Sequence, residues 1–216
     1  MVEYFAAFLR GVNVNGNTIS MAALREAFAD MGFSGARTEL NTGNVIFAAR
    51  AVPADRACAQ FDEHADRAPA LWDDSTFQDW KKCIENGLKT AFGYDAPIFL
   101  RSPPELEALQ GAARALTVPE GCHLYLLLCG SAALPMELEA LFASLPHREN
   151  ESFLPAAGDA FWIVPKGETL TSPFGARALG AKRFRDQLTS RNWNTVEKVL
   201  GRMRENDRIL SGGLSG

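Results

Sequence analysis

The chain has 216 residues, 47% of them hydrophobic and 22% charged, with a formal net charge of -4, so a globular protein with a good core of its own is the default. Its longest wholly apolar run, Leu124 to Cys129, is far short of the roughly 20 residues that span a bilayer, and the start MVEYFAAFLRG has no cleavable signal pattern, so a cytoplasmic protein without a membrane partner is expected. The four cysteines Cys58, Cys83, Cys122 and Cys129 form no CxxC pair and are read as reduced, mostly buried thiols.

Tyr4 to Arg10 reads as a strand with apolar residues on both faces, which suits a central position in a sheet. After a Gly- and Asn-rich loop, Ser20 can cap a helix carrying Met21, Leu24, Phe28 and Met31 at helical spacing, and Gly32 ends it. Leu40 and Val45 to Phe47 flank Asn41-Thr42-Gly43-Asn44, a tight hairpin turn in which Gly and Asn tolerate positive φ. A helix over Phe77 to Phe92 and a strand over Pro97 to Leu100 complete β-α-β-β-α-β, the split βαβ or ferredoxin-like plait. Residues 50–76 between the third strand and the second helix read as an insertion.

After Pro103-Pro104 the pattern restarts. Leu106 to Ala115 is a short helix, His123 to Cys129 a buried strand and Met136 to Leu145 a helix, and Ser152 to Leu154 and Phe161 to Val164 form a hairpin around a Gly158-Asp159 turn. The end reads as helical, over Arg177 to Leu188 and then over Trp193 to Met203, with Asn194 as N-cap and Glu197 completing a capping box. The expected fold is therefore α+β: two ferredoxin-like plait halves with mostly antiparallel sheets, 1–102 and 103–216, and an extra C-terminal helix.

These residues carry a resemblance. Leu9-Arg10-Gly11-Val12-Asn13-Val14 after the first strand, Met21 and Leu24 in the first helix, Asn41-Thr42-Gly43-Asn44-Val45-Ile46-Phe47 and Arg191-Asn192-Trp193-Asn194-Thr195-Val196 together resemble the DUF1697 family of bacterial proteins of unknown function. The resemblance implies two plait-like halves and brings no activity, substrate or catalytic residue with it. Thr42 stands where the family usually has Ser, and 50–76 is longer than the family's usual link.

Charge is distributed unevenly. Residues 166–208 hold ten Lys and Arg against five Asp and Glu, and the remainder holds twelve against twenty-one. A basic C-terminal fifth on an acidic body points to a local anion-binding surface, although solvated helix faces carry such charges too. The loop from Arg10 to Asn17 leads into a helix start, where free N–H groups favour an anion, but it is neither a Walker A loop nor a G-x-G-x-x-G fingerprint. Turn chemistry also explains Asn13, Asn15 and Gly16. Arg191 and Asn192, beside the start of the last helix, have the donors to clamp a carboxylate or phosphate.

The candidate ligand contacts are accordingly Arg10, Asn13, Asn15, Thr42, Asn44, Arg191, Asn192 and Trp193, where the 9–17 loop would meet the 191–194 helix start. The expected ligand is a phosphate-bearing metabolite or a nucleic-acid backbone, with no metal and no cofactor, since His64, His123 and His147 lack metal-ligand spacing. Two alternatives stand beside this. One is a small-molecule transferase or hydrolase using Cys122, His123 or a carboxylate between the halves; the other is a protein-interaction scaffold contacted through 50–76. Base stacking on Tyr4, Phe8 and Phe47 is disfavoured, because wholly apolar strands bury such rings. Composition and spacing decide neither enzyme activity nor oligomeric state.

Overall fold

Val2–Leu9 (β1) pairs on both sides, with Asn44–Arg50 (β3) and with Ile98–Arg101 (β4), as its two apolar faces require. The computed structural model describes residues 2–12, 19–40, 43–50, 74–93 and 95–212. Ser34–Thr38 (β2) adds to β3, giving an antiparallel sheet of order β2-β3-β1-β4. Met21–Asp30 (α1) and Asp74–Phe92 (α2) supply the helices of a ferredoxin-like plait. Ser20 caps α1 as expected, its hydroxyl accepting the Ala23 N–H at 3.1 Å. Most of the expected insertion, residues 51–73, lies outside the described residues.

Leu24 and Phe28 of α1 and Trp80, Ile84 and Leu88 of α2 bury against Phe5, Ala7, Leu9, Val45 and Phe47 of the sheet. Aromatic rings dominate this core: Phe33 meets Phe47 edge-on at 4.9 Å and Phe5 meets Trp80 at 5.1 Å, each pair adding about 1 kcal/mol beyond its buried area. Phe8 and Phe47 are fully buried, so neither ring is open to a base.

The second plait repeats the topology. Pro103–Ala113 (α3) leads to Cys122–Cys129 (β5), Leu134–Ala143 (α4), Ser152–Ala156 (β6), Asp159–Pro165 (β7), Pro173–Ala178 (α5) and Leu188–Asn192 (β8), in a sheet of order β6-β7-β5-β8. Its core gathers Leu127, Leu138, Trp162, Phe174, Phe184 and Leu188. The β6–β7 turn falls on Ala157-Gly158, one residue earlier than expected. Both have positive φ, as a two-residue hairpin of the right twist requires. The buried Asp159 that follows accepts the Cys129 N–H at 2.8 Å, tying the ends of β7 and β5 together.

The expected helix over Arg177 to Leu188 does not form. Ser172 caps α5 and Pro173 opens it, so the helix starts early, ends at Ala178 and gives way to a short 3-10 turn, Lys182–Phe184, and then to β8. Phe184 and Leu188 do share a core, which mimics a helical spacing, but one reaches it from the turn and the other from a strand. β8 supplies the fourth strand that completes the second plait. The last helix, Trp193–Gly212 (α6), follows without a loop.

The chain divides into two units. One comprises Met1–Pro103 with Val199–Gly216, and the other Pro104–Lys198.

Candidate functional site

In the first unit, two of the predicted motifs lie side by side. The Leu9 N–H donates to the Gly43 carbonyl at 2.8 Å, and a Cβ on Gly43 would come within 3.1 Å of both Leu9 and Val12, which, with φ at +72°, explains the glycine. Asn44 is buried, and its Nδ2 donates to the Glu39 carbonyl at 2.9 Å while its own carbonyl accepts the Glu39 N–H, so it closes the β2–β3 hairpin. Arg10 continues the β1–β4 ladder, its N–H donating to the Pro97 carbonyl at 2.9 Å. Asn13, Asn15 and Thr42 lie outside the described residues.

Arg202 of α6, also in this unit, reaches the same hairpin. Its Nε lies 3.6 Å from Glu39 Oε2 and its Nη1 donates to Glu205 Oε2 at 3.0 Å. The Glu205 hydrogen bond and charge, then the Glu39 charge, raise the guanidinium above its ordinary pKa.

The second unit holds Arg191, Asn192 and Trp193. Arg191 lies near the end of the edge strand β8, and its Nη1 donates to Thr189 Oγ1 at 2.9 Å and to the Ser190 carbonyl at 2.8 Å. Asn192, not Asn194, caps α6: its Oδ1 accepts the Asn194 N–H at 3.0 Å. As the last residue of a strand, Asn192 already has the extended backbone a cap needs, whereas Asn194 is inside the first turn. Trp193 is buried edge-on against Phe161 at 5.3 Å. The cap leaves the Asn192 NH2 group as a donor, while Arg191, bonded to Thr189, faces the opposite side of the sheet from Asn192.

Strand alternation sets a second feature of this unit. His123, Tyr125, Leu127 and Cys129 share the face of β5 covered by helices, and the register adds Trp162 opposite Tyr125 on β7, with Asn192 and Ser190 opposite Tyr125 and Leu127 on β8. Leu127 and Leu188 at one end of this face are 0% exposed, while His123, Tyr125, Ser190 and Asn192 are half-buried. Tyr125 packs against the core, edge-to-face with the His123 ring at 6.2 Å and 62° and tilted against Trp162 at 6.0 Å, and the Trp162 Nε1 donates to Glu151 Oε1 at 3.1 Å. Residue-by-residue reading missed Tyr125 and Ser190; the polar-tipped His123 and Tyr125 on alternate positions of an otherwise aliphatic strand were the available signal.

Cys122 and His123, adjacent on a strand, face opposite sides of the sheet, and the Cys122 Sγ lies against the Asn150 carbonyl at 3.9 Å. Among the described residues no group of three or more His, Cys, Asp and Glu is arranged to hold a metal ion, and no helix is long and apolar enough to cross a membrane.

The fold defines an α+β protein built from two open, four-stranded antiparallel plaits. Residues 1–68 match the family described as "Protein of unknown function (DUF1697)", which bears out the resemblance over that span. Among solved structures, a conserved bacterial protein from Streptococcus pneumoniae, SP0830, is 18% identical; the likeness covers 94% of this chain and 99% of that one, with a TM-score of 0.66. At that identity the likeness is one of fold. No curated protein matches the chain.

Proposed function

We propose that this protein binds an anion through the β8–α6 segment of its second unit, the ligand being a phosphate-bearing metabolite or a nucleic-acid backbone. One observation carries the reading: the cap bond at 3.0 Å ties up the Asn192 oxygen and leaves its NH2 as a donor at the end of an edge strand, to which half-buried Arg191 adds positive charge from the strand's other face. Donors held by their own local bonds lose little freedom on meeting a ligand. Arg191 supplies the charge, and the exposed Lys182 and Arg185 on the preceding segment add a longer-range field. The test is a titration of nucleotides and short oligonucleotides at two salt concentrations, with the parent and with Arg191→Ala. Binding that weakens both with salt and with the substitution is expected. Undetectable binding at low salt, or Arg191→Ala behaving like the parent, would sink the reading.

A further inference from the structure

One edge strand in each plait has its outward main-chain groups occupied by the unit's own side chains. β4 is the last strand of its sheet, and the Arg10 N–H bond to the Pro97 carbonyl sets the phase of its ladder with β1. Antiparallel alternation then turns the main-chain groups of Phe99 and Arg101 toward β1 and those of Ile98 and Leu100 outward. Side chains meet both. The Ile98 N–H donates to Glu85 Oε1 of α2 at 3.1 Å, and the Leu100 carbonyl accepts from Arg101 Nη1 at 2.7 Å. β8, at the same place in the second sheet, repeats half of this arrangement. There the Gly130 N–H bond to the Gln187 carbonyl turns the main chain of Ser190 outward, and its carbonyl accepts from Arg191 Nη1 at 2.8 Å.

We propose that the β4 edge is a latent pairing surface for a second copy of this chain, masked by Glu85 and Arg101. An edge strand is a template for strand addition, and Ile98-Phe99-Leu100 is uncharged and strongly β-forming. The edge is also complementary to itself. When two copies of β4 run antiparallel about a two-fold axis at Phe99, Ile98 of each stands opposite Leu100 of the other. In that register the Ile98 N–H of one copy donates to the Leu100 carbonyl of the second, and symmetry repeats the bond. Glu85 occupies the donor of that bond and Arg101 its acceptor, so each side chain removes one end of it. The masking is independent of anion binding by β8 and α6.

Sedimentation equilibrium of the full chain, of the Glu85→Ala/Arg101→Ala variant and of Glu85→Gln tests this. The double substitution removes one charge of each sign, so the net charge is unchanged and only the masking bonds are lost. Self-association of the double variant is expected to tighten by about tenfold or more over the parent, the scale of a few main-chain hydrogen bonds. Its Ile98 and Leu100 amides should exchange with deuterium more slowly as concentration rises. Glu85→Gln keeps an oxygen for the Ile98 N–H and should associate like the parent. Arg101→Ala alone serves as the second variant should the double one fold poorly, and it should move association in the same direction by a smaller factor. Association no tighter than the parent's in the Ala variants overturns the proposal. So does tighter association in which exchange at Ile98 and Leu100 is unchanged by concentration, or a Glu85→Gln variant that associates as tightly as the double one.

Discussion

The side-chain oxygen of Asn192 accepts the main-chain N–H of Asn194 at 3.0 Å, so the residue that ends β8 is the one that starts α6. Strand and helix are joined with no intervening loop. Asn192→Ala should therefore destabilise the protein by about 1 kcal/mol, the usual cost of losing a cap, whereas Asn194→Ala should stay within about 0.5 kcal/mol of the parent. Urea denaturation of both variants decides between them, and a larger loss at Asn194 would move the cap back to that residue.

Two helical glycines should respond in opposite directions. A Cβ on Gly175 would collide with the Thr169 carbonyl oxygen and press on the Trp162 ring at 2.8 Å, whereas one on Gly201 meets nothing within 4 Å. Gly175→Ala should cost about 1–3 kcal/mol by overpacking, and Gly201→Ala should add about 0.5–1 kcal/mol through reduced freedom of the unfolded chain. Thermal melts of the pair test this; a neutral Gly175→Ala would mean that the Thr169 loop yields freely.

Glu151 joins two parts of the second unit, its Oε1 accepting from Trp162 Nε1 at 3.1 Å and its Oε2 from the Arg148 N–H at 2.9 Å. Glu151→Ala should lose about 1–3 kcal/mol, because the indole N–H of a fully buried Trp is left without its acceptor. In a Trp162→Phe background the same substitution should cost less. Equal losses in the two backgrounds, measured by chemical denaturation, would show that the indole bond contributes nothing.

Asn206 offers the opposite prospect. It is 2% exposed, on the buried stripe of α6 with Val199 and Met203, and its Nδ2 has no hydrogen-bond partner among the described residues. Asn206→Leu should raise stability by about 1 kcal/mol, since a lone buried amide costs more than an apolar side chain in its place. A drop in the midpoint of urea unfolding would argue that the amide has a polar partner in solution.

The plaits were legible in the sequence where hydrophobic periodicity coincided with local structure. β1, α1 and β4 follow from apolar spacing alone, and so does the stripe Trp80, Ile84, Leu88 of α2. β8 was not, because Leu188-Thr189-Ser190-Arg191-Asn192 has few of the β-branched and aromatic residues that announce a strand; it is one because β5 has an edge for it to pair with. The misplaced cap has the same origin: with no strand recognised before it, the extended backbone of Asn192 had no reason to be there. Of the candidate contacts, Asn44 looked like a ligand donor because amides in turns serve both purposes, and only its bond to the Glu39 carbonyl separates them. The half-buried state of His123 and Tyr125 depends on what packs over their face of the sheet, which is a property of the fold and not of their own strand.

The first unit is discontinuous along the chain, with Val199–Gly216 grouped with Met1–Pro103. During synthesis its sheet and two helices leave the ribosome nearly a hundred residues ahead of its last helical segment, and the whole Pro104–Lys198 unit is made in between. The piece that is begun first is therefore finished last. Until then it lacks Arg202, whose guanidinium meets Glu39 beside the β2–β3 hairpin.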